Sequence, residues 1–172
     1  MLGAQVSGRR VGIIGMGRIG KAIARRCHYG FGMQVVFHNR SAVDDAGCPA
    51  EQLPLAQVMA ADFVVVAVPG GPATRHLINA ETLAHMAPHG IFINIARGDV
   101  VDEAALADAL LRGQIAGAGL DVYEREPQIT PALLGLENVT LLPHLGTAVL
   151  EVRSAMGLMA LDNLVAHLDG RP

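Results

Sequence analysis

The chain has 172 residues, 51% hydrophobic and 17% charged, enough for one domain with a sizeable apolar core. Its formal net charge of −3 argues against nucleic acid or an anionic membrane as the main partner. Every long uncharged stretch is broken by Pro, Gly or His, which excludes a membrane span.

Strand and helix alternate along the chain, which predicts an α/β fold with a doubly wound parallel sheet. The first strand is read over residues 11–16 and its helix over 18–28, stopped near Gly30 and Gly32. A second strand over 34–38 is followed by a short helix near 54–60, with Pro54 suited to its first turn. A third strand over 62–68 then leads through a Gly/Pro-rich loop (69–74) to a helix at 80–86. Strand 90–96, helix 102–112 closed by Gly113, strand 115–122, a long loop with Pro127 and Pro131, and strand 139–142 complete a set of six strands. A last helix covers 148–168. Cys27 and Cys48 have neither metal spacing nor a disulfide framework and read as reduced thiols of a cytoplasmic protein.

The fingerprint G-x-G-x-x-G occurs as Gly15-Met16-Gly17-Arg18-Ile19-Gly20, directly after a strand and opening a helix. Gly15 suits the tight turn, Gly17 the approach of a pyrophosphate, and Gly20 close packing of helix on strand. Free amides around Arg18 and Ile19, with the helix dipole, favour a dianion. An NAD site would end the second strand in Asp or Glu, to accept from the ribose hydroxyls. Here the place is held by His38-Asn39-Arg40-Ser41. Asn39 removes a charge that would repel a 2′-phosphate, Arg40 adds a cation that can bond it, and Ser41 adds a donor. This favours NADP(H), with NAD(H) as the alternative because Asn also bonds ribose.

Three further side chains, Arg97, Glu126 and His144, each follow a short branched apolar run, at the rim where open α/β sheets collect ligands. Taken singly, each has a structural reading: a surface ion pair for Arg97, loop decoration for Glu126, a satisfied structural imidazole for His144. Glu124 competes with Glu126. His85 and His89 lack the intervening Glu of H-E-x-x-H, so no metal site is expected. His28 and His167 read as solvated, and His76 lies beside the cofactor rim.

In chain order, the fingerprint, Asn94-Ile95-Ala96-Arg97-Gly98-Asp99-Val100-Val101-Asp102-Glu103, Gly119-Leu120-Asp121-Val122-Tyr123-Glu124-Arg125-Glu126-Pro127 and Pro143-His144-Leu145-Gly146-Thr147 resemble the D-isomer-specific 2-hydroxyacid dehydrogenases over essentially the whole chain. Residues 38–41 and 134–144 are most similar to the family's glyoxylate/hydroxypyruvate reductases. The resemblance implies a Rossmann NAD(P)-binding domain over residues 1–172, and a small 2-oxo or 2-hydroxy acid as substrate. It implies His144 as general acid, Glu126 as the carboxylate that orients it and favours the imidazolium, and Arg97 as the anchor for the substrate carboxylate. Glu126 is chosen over Glu124 because the family's glutamate directly precedes Pro, here Pro127. Asp121 would bond the nicotinamide carboxamide, with Val68, Pro69, Thr74, Ile95 and Gly146 as further cofactor contacts. One departure stands out: where many relatives carry Ser-Leu-His before the Pro, this chain has Val66-Ala67-Val68-Pro69-Gly70-Gly71.

Family members have a second, substrate-binding lobe and dimerise through the cofactor domain. Few residues precede the first strand here, so the expectation is an isolated cofactor-binding domain that forms a symmetric homodimer and reduces 2-oxo acids poorly alone. Two alternatives stay open: a nicotinamide-sensing, corepressor-like binding protein, and a fragment without independent activity.

Overall fold

Val, Ile and Phe crowd the strand segments, and such runs need burial on both faces. The computed structural model describes residues 3–171 and gathers these runs into one seven-stranded sheet. The strands are β1 (Arg10–Ile14), β2 (Gln34–His38), β3 (Ala50–Gln52), β4 (Phe63–Val66), β5 (Ile91–Asn94), β6 (Gly117–Leu120) and β7 (Val139–Leu141). They lie in the order β3-β2-β1-β4-β5-β6-β7, and every pairing is parallel. The order reverses between β1 and β4, which opens a crevice at the carboxyl ends of these two strands.

The period of two along each strand sends alternate side chains to two separate cores. Val11, Ile13, Val35, Phe37 and Val65 join Ala24 of helix α1 (Arg18–Phe31) on one side. Ile14, Val36, Val64, Val66 and Phe92 pack on the other, against α2 (Leu55–Met59), α3 (Ala80–Leu83) and α4 (Glu103–Leu111). Asn79 caps α3 in a reciprocal box with Thr82, and the Asp102 carboxylate caps α4 by accepting from the Ala105 N–H at 3.1 Å.

The structure departs from the sequence reading at several elements. The described residues form seven strands rather than six: β3, with the polar residues Glu51 and Gln52, has no apolar run to mark it. The loop expected to run from β6 to β7 contains a short helix, α5 (Pro131–Leu134). Helix α1 continues through Gly30 to Phe31. It is closed by Gly32 at φ +63, whose N–H donates to the His28 carbonyl at 2.9 Å.

By its internal contacts the chain divides into two units, the first ending at Leu142 and the second starting at Pro143. The second consists of a turn and helix α6 (Leu150–Leu168), along which Leu150, Met156, Leu158, Leu161 and Leu164 are exposed. Among the described residues no helix is long and apolar enough to cross a membrane.

Candidate active site

β1 delivers the fingerprint turn to the switch point. Gly15 sits at φ +99, in the region that favours glycine, and its N–H donates to the His38 carbonyl at 2.8 Å, tying the ends of β1 and β2 together. A Cβ on Gly20 would lie 2.0 Å from the Gly15 carbonyl oxygen, so helix and turn touch there. Gly17 differs: a Cβ there would meet nothing within 4 Å. The protein's own packing does not require glycine at that position, whereas a pyrophosphate resting on the backbone would.

The first turn of α1 fits such a group. It has neither a side-chain cap nor an acidic residue, so its amides present the positive end of a 14-residue helix without a competing carboxylate. Gly17, Arg18 and Ile19 are exposed. Beside them, the Asn39 Oδ1 accepts from the Met16 N–H at 3.2 Å, and its Nδ2 donates to the Ser41 carbonyl at 3.0 Å and hydroxyl at 3.3 Å. Arg40 and Ser41 are exposed. The residues nominated at the ends of β1 and β2 are therefore linked.

β5 ends at Asn94, which is buried and turns the chain toward Arg97. Its Oδ1 accepts from the Ala96 N–H at 3.0 Å and its Nδ2 donates to the Arg97 carbonyl at 3.1 Å. The exposed Arg97 donates through Nη1 to the Ala96 carbonyl at 2.6 Å. The unusual glycine pair after Pro69 explains itself here. A Cβ on Gly70 would lie 2.7 Å from the Arg97 Cγ, and the Gly71 N–H donates to the Asp99 carboxylate at 3.2 Å. Pro69 and Thr74 meet in one turn, the Thr74 hydroxyl donating to the Pro69 carbonyl at 2.6 Å. Val68 is half-buried and Ile95 exposed on the same rim.

β6 leads to Asp121, which is buried, and to the turn that carries Glu126. The Tyr123 N–H donates to the Glu126 Oε1 at 3.0 Å, and the Tyr123 hydroxyl donates to the Leu142 carbonyl at 2.8 Å. Burial, with the nearby Asp121 carboxylate, pushes the Tyr123 phenol above its ordinary pKa. Glu124 is committed elsewhere: its carboxylate holds the His76 Nε2 at 2.8 Å and Arg75 at 3.3 Å. The peptide bond between Glu126 and Pro127 is cis.

Sequence reading missed the residue that closes this turn. Glu103 is buried at the start of α4, where its carboxylate accepts from the Glu124 N–H at 2.7 Å and from the Thr130 hydroxyl. An acidic residue in a helix first turn signals only a favourable dipole contact, so nothing local marked it. Asn94, although part of the motif, likewise carries no local sign of its task in the turn. His144 belongs to the second unit and adopts φ +55, with Gly146 two residues on.

The other histidines have separate tasks. His89 pairs with Asp62 at 2.8 Å at the opposite end of the sheet, and His28, expected to be solvated, is half-buried with Nδ1 at 3.2 Å from the Met33 carbonyl. Both cysteines are free and half-buried, and burial raises each thiol pKa. Among the described residues no cluster of three His, Cys, Asp or Glu side chains could hold a metal ion.

A parallel sheet whose switch point carries a glycine turn and an uncapped, acid-free helix end defines a dinucleotide-binding domain. Comparison makes the class specific. The chain belongs to the D-isomer specific 2-hydroxyacid dehydrogenase family, with residues 1–146 matching its NAD binding domain. It is 46% identical over 172 residues to a glyoxylate reductase of Pyrococcus furiosus, covering 98% of this chain and 51% of that protein. It is 43% identical over 171 residues to a hydroxyphenylpyruvate reductase of Plectranthus scutellarioides, covering 99% and 54%. It is also similar to the crystal structure of an NADPH-dependent glyoxylate/hydroxypyruvate reductase from Sinorhizobium meliloti in complex with NADP and malonate. That likeness has a TM-score of 0.87 and 46% identity over 92% of this chain and 50% of that one. The chain spans about half the length of the curated relatives it matches. These likenesses are to oxidoreductases and do not favour the corepressor-like reading.

Proposed function

We propose that this chain is the cofactor-binding, catalytic-residue-bearing domain of a reductase that converts a small 2-oxo acid, glyoxylate or hydroxypyruvate, to its 2-hydroxy acid with NADPH. The observation that carries the proposal is the bare, acid-free first turn of α1 beside the Asn39-Arg40-Ser41 loop. A dianion and a 2′-phosphate suit that pair of surfaces. The relatives named as reductases of glyoxylate and hydroxypyruvate support the substrate class.

NADPH, when bound, supplies a hydride to the carbonyl carbon. The chain's own residues divide the remaining work. Arg97 holds the acid by its carboxylate and carbonyl oxygen, as a permanently charged planar fork can. We assign His144 as the group that gives a ring N–H proton to the carbonyl oxygen, with Glu126 as the carboxylate that favours its imidazolium. The commitment of Glu124 to His76 and Arg75 supports Glu126 in that role. Asp121 takes the nicotinamide carboxamide.

We assign the substrate-enclosing lobe to the half of the relatives' length that these residues do not match, and place the enzyme in the cytoplasm as a symmetric dimer. The test is thermal melting of the 172-residue chain with each dinucleotide. NADPH is expected to raise the melting temperature more than NADH does, while glyoxylate turnover stays slow because substrate is not enclosed. Absence of any shift at millimolar dinucleotide refutes the cofactor assignment. Robust turnover by the chain alone refutes the lobe assignment.

A further inference from the structure

We infer that Gln52, on the edge strand β3, is the positioning residue that fixes the loop carrying Arg40 and thereby sets the preference of this site for a dinucleotide with a 2′-phosphate. The inference rests on the NADPH reading above and deepens it. The Gln52 Nε2 donates to the Asn39 carbonyl at 3.1 Å and to the Ser41 carbonyl at 3.0 Å, and its Oε1 accepts from the Val43 N–H at 3.1 Å. A glutamine amide has two N–H donors, and both are spent on the carbonyls on either side of Arg40. That holds the backbone before and after the arginine, and so the direction in which its exposed side chain leaves the loop.

The base of the clamp is firm. Gln52 is in parallel register with Phe37 of β2, and the Leu53 N–H donates to the Phe37 carbonyl at 2.8 Å. Asn39 has an anchor of its own, the Met16 N–H. The side chain of Asn39 thus keeps one tie that does not pass through Gln52, so ribose contacts common to NADH and NADPH lean on the clamp less than contacts from Arg40 do. Ser41 is also tied to the Asn39 Nδ2, so the contact to a 2′-phosphate that depends most on the clamp is that of Arg40. Loss of Gln52 must then act on the ratio of the two affinities, which a residue serving only the general fold would leave alone.

The experiment measures dissociation constants for NADPH and NADH with the wild-type chain, Arg40→Ala, Gln52→Ala and Gln52→Leu, together with ligand-free melts. Wild type is expected to prefer NADPH, and Arg40→Ala to cut that preference on the order of tenfold by removing a charge-assisted bond. Gln52→Ala should lower the ratio by about fivefold, chiefly through weaker NADPH binding, the effect of having to order roughly one backbone residue on binding. Gln52→Leu, uncharged and of similar size, loses both donors and should lower the ratio by a similar factor. If Gln52→Ala fails to fold, Gln52→Leu decides by the same criterion. An unchanged ratio in the Gln52 variants, or equal weakening of both cofactors, overturns the inference while the Arg40 result leaves the NADPH reading standing. An unchanged ratio in Arg40→Ala overturns that reading, and the role of Gln52 with it.

Discussion

Alanine at Gly17 and alanine at Gly20 should separate cofactor binding from stability. At Gly20 the added Cβ falls 2.0 Å from the Gly15 carbonyl oxygen and 3.1 Å from its carbon. Since non-bonded heavy atoms rest at about 3.5 Å, α1 must retreat from the turn by more than about 1 Å. Overpacking of this kind costs about 1–3 kcal/mol, against roughly 0.5–1 kcal/mol gained because alanine suits a helix better than glycine. A net loss of about 1–2 kcal/mol lowers the melting temperature of a chain this size by about 2–8 °C. At Gly17 the backbone, φ −79 and ψ −164, is one any residue adopts, and no atom lies within 4 Å of the added carbon. The poorer N-cap and the stiffer unfolded chain nearly offset each other, to within about 0.5 kcal/mol. The methyl group would nevertheless stand where the proposed site brings a pyrophosphate to the backbone. Losing one charge-assisted amide bond weakens NADPH about ten- to hundredfold. Circular-dichroism melts without ligand and NADPH titrations read the two effects separately. Gly17→Ala binding NADPH like wild type, or Gly20→Ala melting like wild type, would refute the reasoning.

Two predictions concern other parts of the first unit. Burial pushes the Asp62 carboxyl up, but the Arg10 N–H, His89 and Arg9 together outweigh it and hold its pKa below the ordinary value. A carboxyl depressed in the folded state contributes stability above its unfolded pKa, about 3.9, and loses that contribution as pH falls through the folded value. Wild type should therefore be more stable than Asp62→Asn at neutral pH, with the gap closing below about pH 4; a gap that persists at pH 2 contradicts the assignment. Glu103→Ala leaves the Glu124 N–H and the Thr130 hydroxyl without their charged acceptor, at a cost of about 2–4 kcal/mol. Hydrogen exchange at the Tyr123 amide, which donates to Glu126, should quicken well beyond the global change; uniform loss of protection would mean that Glu103 does not hold the Glu126 turn.

What the sequence made legible follows from how local each signal is. Val35, Val36 and Phe37 make β2 readable to the residue, because a parallel strand buried on both faces must be apolar throughout. β3 escaped because an edge strand needs few apolar positions, and its Glu51 and Gln52 look like loop. α5 is a single turn opened by Pro131, and proline two residues past Ile129 reads equally well as a break. α1 runs past its sequence reading because a glycine near a helix end suggests its stop, yet the left-handed conformation that ends a helix is adopted by Gly32 and not by Gly30.

The same distinction divides the site. The three fingerprint glycines fall within six consecutive residues, so their spacing alone points to a role. Arg97 is visible as a charge after a strand, but what holds it is spread across the chain. Asn94 turns the backbone from below, Gly70 leaves room for the stem, and a Cβ on Gly98 would fall 1.8 Å from the Tyr123 carbonyl carbon. The absence of a side chain at Gly98 therefore lets the turns after β5 and β6 touch, and Glu103 then ties the second turn to the helix that follows the first. No periodicity records a missing Cβ that matters only to a segment some 25 residues away. The departure at Gly70-Gly71 reads, on sequence alone, as a weakening of the family pattern. In three dimensions it is the space into which the Arg97 side chain fits, so a side chain placed at position 70 would disturb Arg97 before it touched any cofactor.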